Sequence, residues 1–162
     1  MTKIAKKKTP RAKKPEPRKI NLTDAVGEAF GELECLAEEM RDWAGNIEEK
    51  FSSTQKYEDV STAADSLENI QQPDIDDTLG EIEITIQDPT PSRKPRKPRS
   101  RATRCGDACN ILSNCISALE EFASSDSADT DEAKVELADD LRGELENVMS
   151  EAESVEFPGM FG

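Results

Sequence analysis

The chain has 162 residues, with 21 Lys or Arg, 35 Asp or Glu and no histidine, which gives a formal net charge of −14 at pH 7. Without histidine, Ser-His-Asp and Cys-His catalytic systems are excluded. Leu, Ile, Val and Phe total only 30 residues, so any hydrophobic core must be thin and confined to patterned segments.

No apolar run approaches the roughly 18 residues that span a bilayer, and no apolar stretch of a signal peptide follows the basic N-terminus. We therefore expect an intracellular, cytoplasmic protein that does not contact membranes. In that setting the four cysteines would stay reduced. Their Cys-x3-Cys-x5-Cys spacing is not that of a structural zinc site, so we expect no metal and no cofactor.

The charge alternates along the chain in four blocks. Residues 1–20 carry +8, residues 21–88 carry −16, residues 89–104 carry +7 and residues 105–162 carry −13. With the apolar periodicity, this pattern divides the chain into a disordered basic arm (1–20), an acidic helical hairpin (21–72), a loop with a short strand (73–88), a basic Pro-rich linker (89–104), a second acidic hairpin (105–157) and a C-terminal apolar tail (158–162).

In the first hairpin, apolar residues repeat with alternating steps of four and three residues, which predicts a long helix with a coiled-coil-like seam. Thr23 is the expected N-cap of this helix. The seam residues are Val26, Phe30, Leu33, Ala37, Met40, Ala44, Ile47 and Phe51. The register breaks at 52–56, and a second amphipathic run through Val60, Ala63, Leu67 and Ile70 predicts the antiparallel partner helix.

Residues 81–87, EIEITIQ, alternate strictly and carry isoleucines on one face, which is typical of a β-strand. Without a strand partner of its own in the sequence, this segment is expected to be isolated. It either lays its isoleucines on a helix pair of the same chain or pairs with another chain.

The second hairpin repeats the plan of the first. Its seams run from Cys105 and Cys109 to Ala123 and from Ala138 to Val155, separated by a turn-rich segment at 124–130. Cys105, Cys109 and Cys115 lie on the apolar side of their predicted helix, whereas Cys35 lies on an outer face of the first hairpin. The expected fold class is therefore all-α, with two antiparallel helical hairpins.

The arm and the linker, PTPSRKPRKPRSRATR in residues 89–104, are candidates for salt-sensitive binding of a polyanion such as nucleic acid. Alternatively, the linker folds back on the acidic helices of its own chain, or serves as a targeting signal or peptide ligand. The candidate polyanion-binding residues are Lys6, Lys7, Lys8, Arg11, Lys13, Lys14, Arg93, Lys94, Arg96, Lys97, Arg99, Arg101 and Arg104.

The tail after Pro158 and Gly159 is apolar. Phe157, Met160 and Phe161 either cap the chain's own core or dock into a groove of a partner protein. Both interpretations remain open at this point.

The segments Lys56-Tyr-Glu-Asp-Val-Ser-Thr-Ala-Ala-Asp65 and Val155-Glu-Phe-Pro-Gly-Met-Phe-Gly162 resemble small uncharacterised coil-containing proteins of tailed phages and related mobile elements. The resemblance implies a viral or prokaryotic setting, with the host cytoplasm or the virion as location. It implies no activity and no catalytic residues.

Three functions are compatible with these patterns. The favoured one is a non-enzymatic scaffold or adaptor, which contacts proteins or further copies of itself through helical seams and binds nucleic acid non-specifically through its basic segments. The second is an acidic mimic of nucleic acid that binds a DNA-binding protein. The third is a Mg²⁺-dependent, all-α nucleotide pyrophosphohydrolase that uses carboxylates such as Glu34, Glu38, Glu39 and Asp42, although helical rotation spreads these four around the outer face.

Overall fold

The structure is a computed structural model that describes residues 14–89, 98–125 and 131–159. It confirms the all-α class with two antiparallel helical hairpins, to which a small sheet is added. The elements in chain order are β1 (Arg18–Asn21), α1 (Leu22–Phe51), α2 (Gln55–Glu68), α3 (Asp77–Gly80), β2 (Glu83–Ile86), α4 (Arg101–Ser124) and α5 (Glu132–Glu153).

Side-chain caps set the start of each long helix. The Oδ1 atom of Asn21 accepts a hydrogen bond from the backbone N–H of Asp24 at 2.7 Å, so Asn21, and not Thr23, is the N-cap of α1. The expected cap was wrong by two residues because Leu22 is already helical and buried. Ser100 caps α4 in the same way, with its hydroxyl accepting from the N–H of Thr103.

The two hairpins pack together into one antiparallel bundle. Helix α1 lies against both α2 and α4, and α4 lies against α5. The buried seam residues of all four helices belong to a single hydrophobic core, which includes Leu33 and Met40 of α1, Leu112 of α4 and Leu145 of α5. The seams therefore fill the interior of the monomer, and assembly with other copies would have to use other surfaces.

The seam of α1 is buried from Val26 to Ala44, but its end is not. Ile47 is only half-buried, and Phe51 keeps 50% of its surface exposed. The start of α4 contacts α1 at Glu39 and Trp43. The last turns of α1 therefore extend past the second hairpin, and α2 is the neighbour that remains beside them.

The predicted strand is shorter than expected and is not isolated. Strand β2 pairs antiparallel with β1, in a register that places Arg18 opposite Ile86 and Asn21 opposite Glu83. Ile84 and Ile86 are buried against the helices, as the intramolecular interpretation expected. Strand β1 was missed because Arg18–Asn21 has no alternating pattern and lies in a strongly basic segment.

Two boundaries of the basic segments also differ from the expected ones. The arm was expected to be disordered over residues 1–20, but residues 18–20 belong to β1. The linker was expected to reach residue 104, but helix α4 begins at Arg101. Residues 1–13, 90–97, 126–130 and 160–162 lie outside the described residues. Within the described ranges, no helix is long and apolar enough to cross a bilayer.

Candidate functional site

Of the thirteen candidate polyanion-binding residues, four lie in the described part of the chain. Lys14 is exposed ahead of β1. Arg99, Arg101 and Arg104 are all ion-paired to carboxylates of the same chain. The other nine lie outside the described residues: Lys6, Lys7, Lys8, Arg11, Lys13, Arg93, Lys94, Arg96 and Lys97.

Arg104 joins the two hairpins. From the first turn of α4, its guanidinium binds the carboxylates of both Glu32 and Glu39 on α1. The pKa of Glu39 is held below its ordinary range, first by the hydrogen bond from Arg104, which outweighs the opposing effect of burial. The pKa of Arg104 is raised, because the hydrogen bonds to Glu39 and Glu32 outweigh the desolvation that lowers it. Both partners are therefore charged at neutral pH.

Arg101 strengthens the same contact. Its Nε donates to Oε2 of Glu39 at 3.2 Å. Its guanidinium carbon lies 5.0 Å from the ring centroid of Trp43, within the range of a cation–π interaction. The Nζ atom of Lys56, on α2, is 5.7 Å from the same ring. The indole of Trp43 thus connects α1, α2 and α4 at one end of the bundle.

Three further ion pairs lie beside those of Arg104. Arg99 pairs with Asp107 across the start of α4. Arg18 of β1 binds Glu28 of α1 and Asp88, which follows β2. The pKa of Arg18 is raised, first by the hydrogen bond to Glu28 and then by that to Asp88.

These ion pairs border a groove between the sheet, α1 and α4, with a cavity volume of about 900 Å³. Ile86, Ala108 and Ile111 form its apolar part, and the polar side chains of Gln87, Asn110, Ser113 and Asn114 also line it. We call it the α1–α4 groove. The remaining lining residues are Arg18, Glu28, Glu32, Asp88, Pro89, Pro98, Arg99, Arg104 and Asp107.

The cysteines occupy the positions that the helical pattern predicted. Cys35 is exposed, whereas Cys105, Cys109 and Cys115 are buried. The Sγ of Cys105 donates to the carbonyl oxygen of Ala152 on α5 at 3.4 Å. Burial raises the pKa of the Cys115 thiol to about 12. The three buried thiols therefore pack as small apolar groups in the core, and Cys105 does so at the α4–α5 contact.

The carboxylates of the pyrophosphohydrolase hypothesis do not converge. Glu34, Glu38 and Asp42 are exposed on α1, and Glu39 is bound to Arg101 and Arg104. Among the described residues, no three His, Cys, Asp or Glu side chains are placed to hold a metal ion together.

Of the three tail residues, Phe157 lies in the described part, and Met160 and Phe161 lie outside it. Phe157 is half-buried and packs against the core. With Val155 and Pro158 it borders a shallow cavity on α2, beside Asp59 and Ser66. The position of Phe157 favours the interpretation in which the tail caps the chain's own core, which stays a prediction for Met160 and Phe161.

The sequence analysis did not identify the acidic partners Glu28, Glu32, Asp88 and Asp107, nor Arg18, as members of one site. Two of the pairs join residues far apart in sequence: 72 residues separate Arg104 from Glu32 and 70 separate Arg18 from Asp88. No local pattern could have connected them. The acidic charge of the first hairpin beside the basic linker was the one available signal.

Comparison with known proteins finds no match to a protein-family model, to a curated protein or to a solved structure. The resemblance to phage-encoded coil-containing proteins therefore stays a prediction.

Proposed function

We propose that the protein is a non-enzymatic adaptor, in which an acidic helical bundle contacts proteins and the basic segments outside it bind nucleic acid or another polyanion without sequence preference. The separation of charge carries this proposal. The described residues hold 11 Lys or Arg and 33 Asp or Glu, a net charge of −22. Residues 1–13 hold six bases and no acid, and residues 90–97 hold four bases and no acid.

The arginines on the bundle contribute less to polyanion binding than the sequence suggested. Arg99, Arg101 and Arg104 already bind carboxylates, so a phosphate would have to displace an existing partner. Without such an exchange, little new interaction energy is gained. The proposed contacts are therefore concentrated in residues 1–14 and 90–97.

Distance from the acidic bundle favours the arm over the linker. The acidic bundle repels a polyanion, and at physiological ionic strength this repulsion is largely screened beyond about 8 Å. Thirteen extended residues reach about 43 Å, well beyond that distance. Pro89 and Pro98, which flank residues 90–97 in sequence, both border the α1–α4 groove, so we expect the charges of that segment to act nearer the bundle.

The test is the electrophoretic mobility of labelled duplex DNA with the full chain and with a chain that begins at Lys14. The truncation stops before β1, so that the sheet is kept. We expect the truncated chain to bind DNA about 10²-fold more weakly than the full chain at 50 mM salt. The slope of log K against log salt should become less steep by up to about five.

A chain with residues 1–13 in scrambled order is the matched control, because it keeps the charge and should keep the affinity. Changing Arg93, Lys94, Arg96 and Lys97 to Gln should weaken binding less than the truncation does. The proposal fails if the full chain does not shift DNA at low salt.

Helix α5 favours the acidic mimic as a second function. It exposes eight carboxylates, on Glu132, Glu136, Asp139, Asp140, Glu144, Glu146, Glu151 and Glu153, and its two bases are Lys134 and Arg142. Arg142 lies within 4.0 Å of carboxylates on both Asp139 and Glu146. If α5 imitates a phosphate backbone, the chain should release a basic DNA-binding protein from labelled DNA. Changing these eight carboxylates to amides should abolish the release, whereas removing residues 1–13 should not.

The hydrolase hypothesis has less support, because its candidate carboxylates point apart or bind arginine. Release of pyrophosphate from nucleoside triphosphates that depends on Mg²⁺ would revive it, and would contradict a non-enzymatic role.

A further inference from the structure

The wall of the α1–α4 groove formed by α4 has the spacing of an extended peptide. Asn110 and Asn114 line the groove, are exposed and lie four residues apart on the helix. That spacing is a rise of about 6 Å, and two residues of an extended chain span about 6.6 Å. A side-chain amide offers both a donor and an acceptor. The two asparagines could therefore bind the backbone N–H and C=O of every second residue of an extended peptide.

The carboxylates of the groove can still accept hydrogen bonds from a further positively charged group. Glu28, Glu32 and Asp88 are each bound to an arginine, yet their side chains keep 35–43% of their surface exposed. An ionised carboxylate accepts up to about four hydrogen bonds, and its arginine partner uses one or two. Lysines of a bound peptide could share these oxygens without displacing the arginines.

The described chain begins at the rim of this groove. The Nε2 of Gln87, which lines the groove, donates to the carbonyl oxygen of Pro15 at 2.5 Å. Arg18, another lining residue, is held by Glu28 and Asp88. Pro15 and Arg18 are thus held beside the groove, and residues 1–13 precede them in the sequence.

The arm is opposite in charge to the bundle and is long enough to cross the groove. Residues 1–13 carry six Lys or Arg and no acid, opposite a bundle of net charge −22. From Arg104 to Asn114, α4 offers about 15 Å of wall, and thirteen residues reach about 43 Å. Because the arm is tethered at the rim, its effective concentration at the groove is of the order of millimolar.

We propose that the basic arm, residues 1–13, binds as an extended segment in the α1–α4 groove of its own chain. The regulatory meaning of this contact rests on the proposed function. A polyanion would have to compete with the groove for the arm, so the bundle restrains non-specific binding until a dense array of phosphates is present.

The test uses trypsin on the full chain, because the arm offers cleavage sites at Lys6, Lys7, Lys8, Arg11 and Lys13. A synthetic, isotopically labelled peptide of residues 1–13 in the same solution reports the cleavage rate of a free arm. A protease acts on the open state, so an arm docked nine-tenths of the time is cut about tenfold more slowly than the peptide. We expect that protection at 50 mM salt.

The double variant Asn110→Lys and Asn114→Lys adds two positive charges to the wall of the groove while keeping good helix formers in α4. It should raise the cleavage rate of the arm to within about twofold of the free peptide. The matched control is Asn147→Lys with Ser150→Lys, two exposed positions on α5 outside the groove lining. The control adds the same charge and should leave the protection unchanged.

Equal cleavage rates of the arm and the free peptide would overturn the proposal, and so would an equal effect of the two double variants. If the groove variant changes cleavage at residues 93–97 and not in the arm, the linker occupies the groove and the proposal is wrong. These outcomes are independent of DNA. A protected arm in a chain that fails to bind DNA would refute the proposed function alone, and an unprotected arm in a chain that binds DNA would refute this inference alone.

Discussion

Arg104 and Glu39 bind each other across the contact between the two hairpins, although 65 residues separate them in sequence. Arg104 also binds Glu32, which lies about two turns before Glu39 on the same side of α1. The side chain of Arg104 is only 25% exposed, so its charge is largely withdrawn from water. Arg104, the last basic residue of the linker segment, therefore holds α1 and α4 together.

Replacing Arg104 with Ala should lower the free energy of unfolding by about 1–2 kcal/mol, because the partly buried carboxylate of Glu32 loses its arginine and that of Glu39 keeps only Arg101. Urea denaturation would measure this. The matched control is Arg142→Ala, which breaks pairs within one helix and should cost at most about 0.5 kcal/mol. Equal losses for the two variants would show that the interhelical cluster adds nothing to stability.

Glu39 should make stability depend on pH in the acidic range. Its pKa is lower in the folded chain than in the unfolded one, chiefly because Arg104 donates to its carboxylate. The resulting stabilisation is fully present above the unfolded pKa of roughly 4.3, and it is lost as the pH falls through the lower folded pKa.

The variant Glu39→Gln should therefore be less stable than the wild type at pH 7, by about 1 kcal/mol after allowance for solvent screening. The two should converge toward pH 3 in a series of urea titrations. Glu34→Gln removes an exposed carboxylate from the same helix and serves as control. The assignment is wrong if the Glu39→Gln difference stays constant from pH 7 to pH 3.

Gly80 lies so close to α1 that a methyl group does not fit there. A Cβ atom at this position would be 2.6 Å from Oγ1 of Thr23. Gly80→Ala should therefore cost about 1–3 kcal/mol through overpacking. In a Thr23→Ala background the obstructing hydroxyl is gone, so the same change should cost much less. Thermal unfolding of the wild type, the two single variants and the double variant gives the coupling energy between the two positions. Additive effects would contradict the close contact.

The four thiols should differ in reactivity. Cys35 is exposed, and the other three are buried in the hydrophobic core. A colorimetric thiol reagent at pH 8 should modify one thiol per folded chain within minutes and all four after denaturation. Cys35→Ser should remove the fast phase. More than one fast thiol in the folded wild type would mean that the helices packed around α4 open readily.

The local parts of this fold could be read from the sequence. The alternating spacing from Val26 to Ala44 determined which side of α1 is buried, and the break at 52–56 determined where the hairpin turns. The alternation in 81–87 identified β2 and its buried isoleucines. These features depend on neighbours two to four residues away, and such interactions repeat with the period of the helix or the strand.

The boundaries of the basic segments could not be read in the same way. Arg101 and Arg104 resemble the rest of the linker by composition, and Arg18 resembles the rest of the arm. Their roles depend on carboxylates up to 72 residues away. For the candidate site, the sequence therefore predicted the type of charge but not which charges remain available.

The sequence by itself determined two amphipathic hairpins and a strict separation of acidic and basic blocks, because periodicity and composition are local properties of the chain. The tertiary structure alone decided that the seams close on each other in one core, that β1 pairs with β2, and that four arginines of the basic segments, Arg18, Arg99, Arg101 and Arg104, are bound to carboxylates of the bundle. The physical reason is that these outcomes rest mainly on groups distant in sequence, which meet only through the packing of the helices and the pairing of the strands.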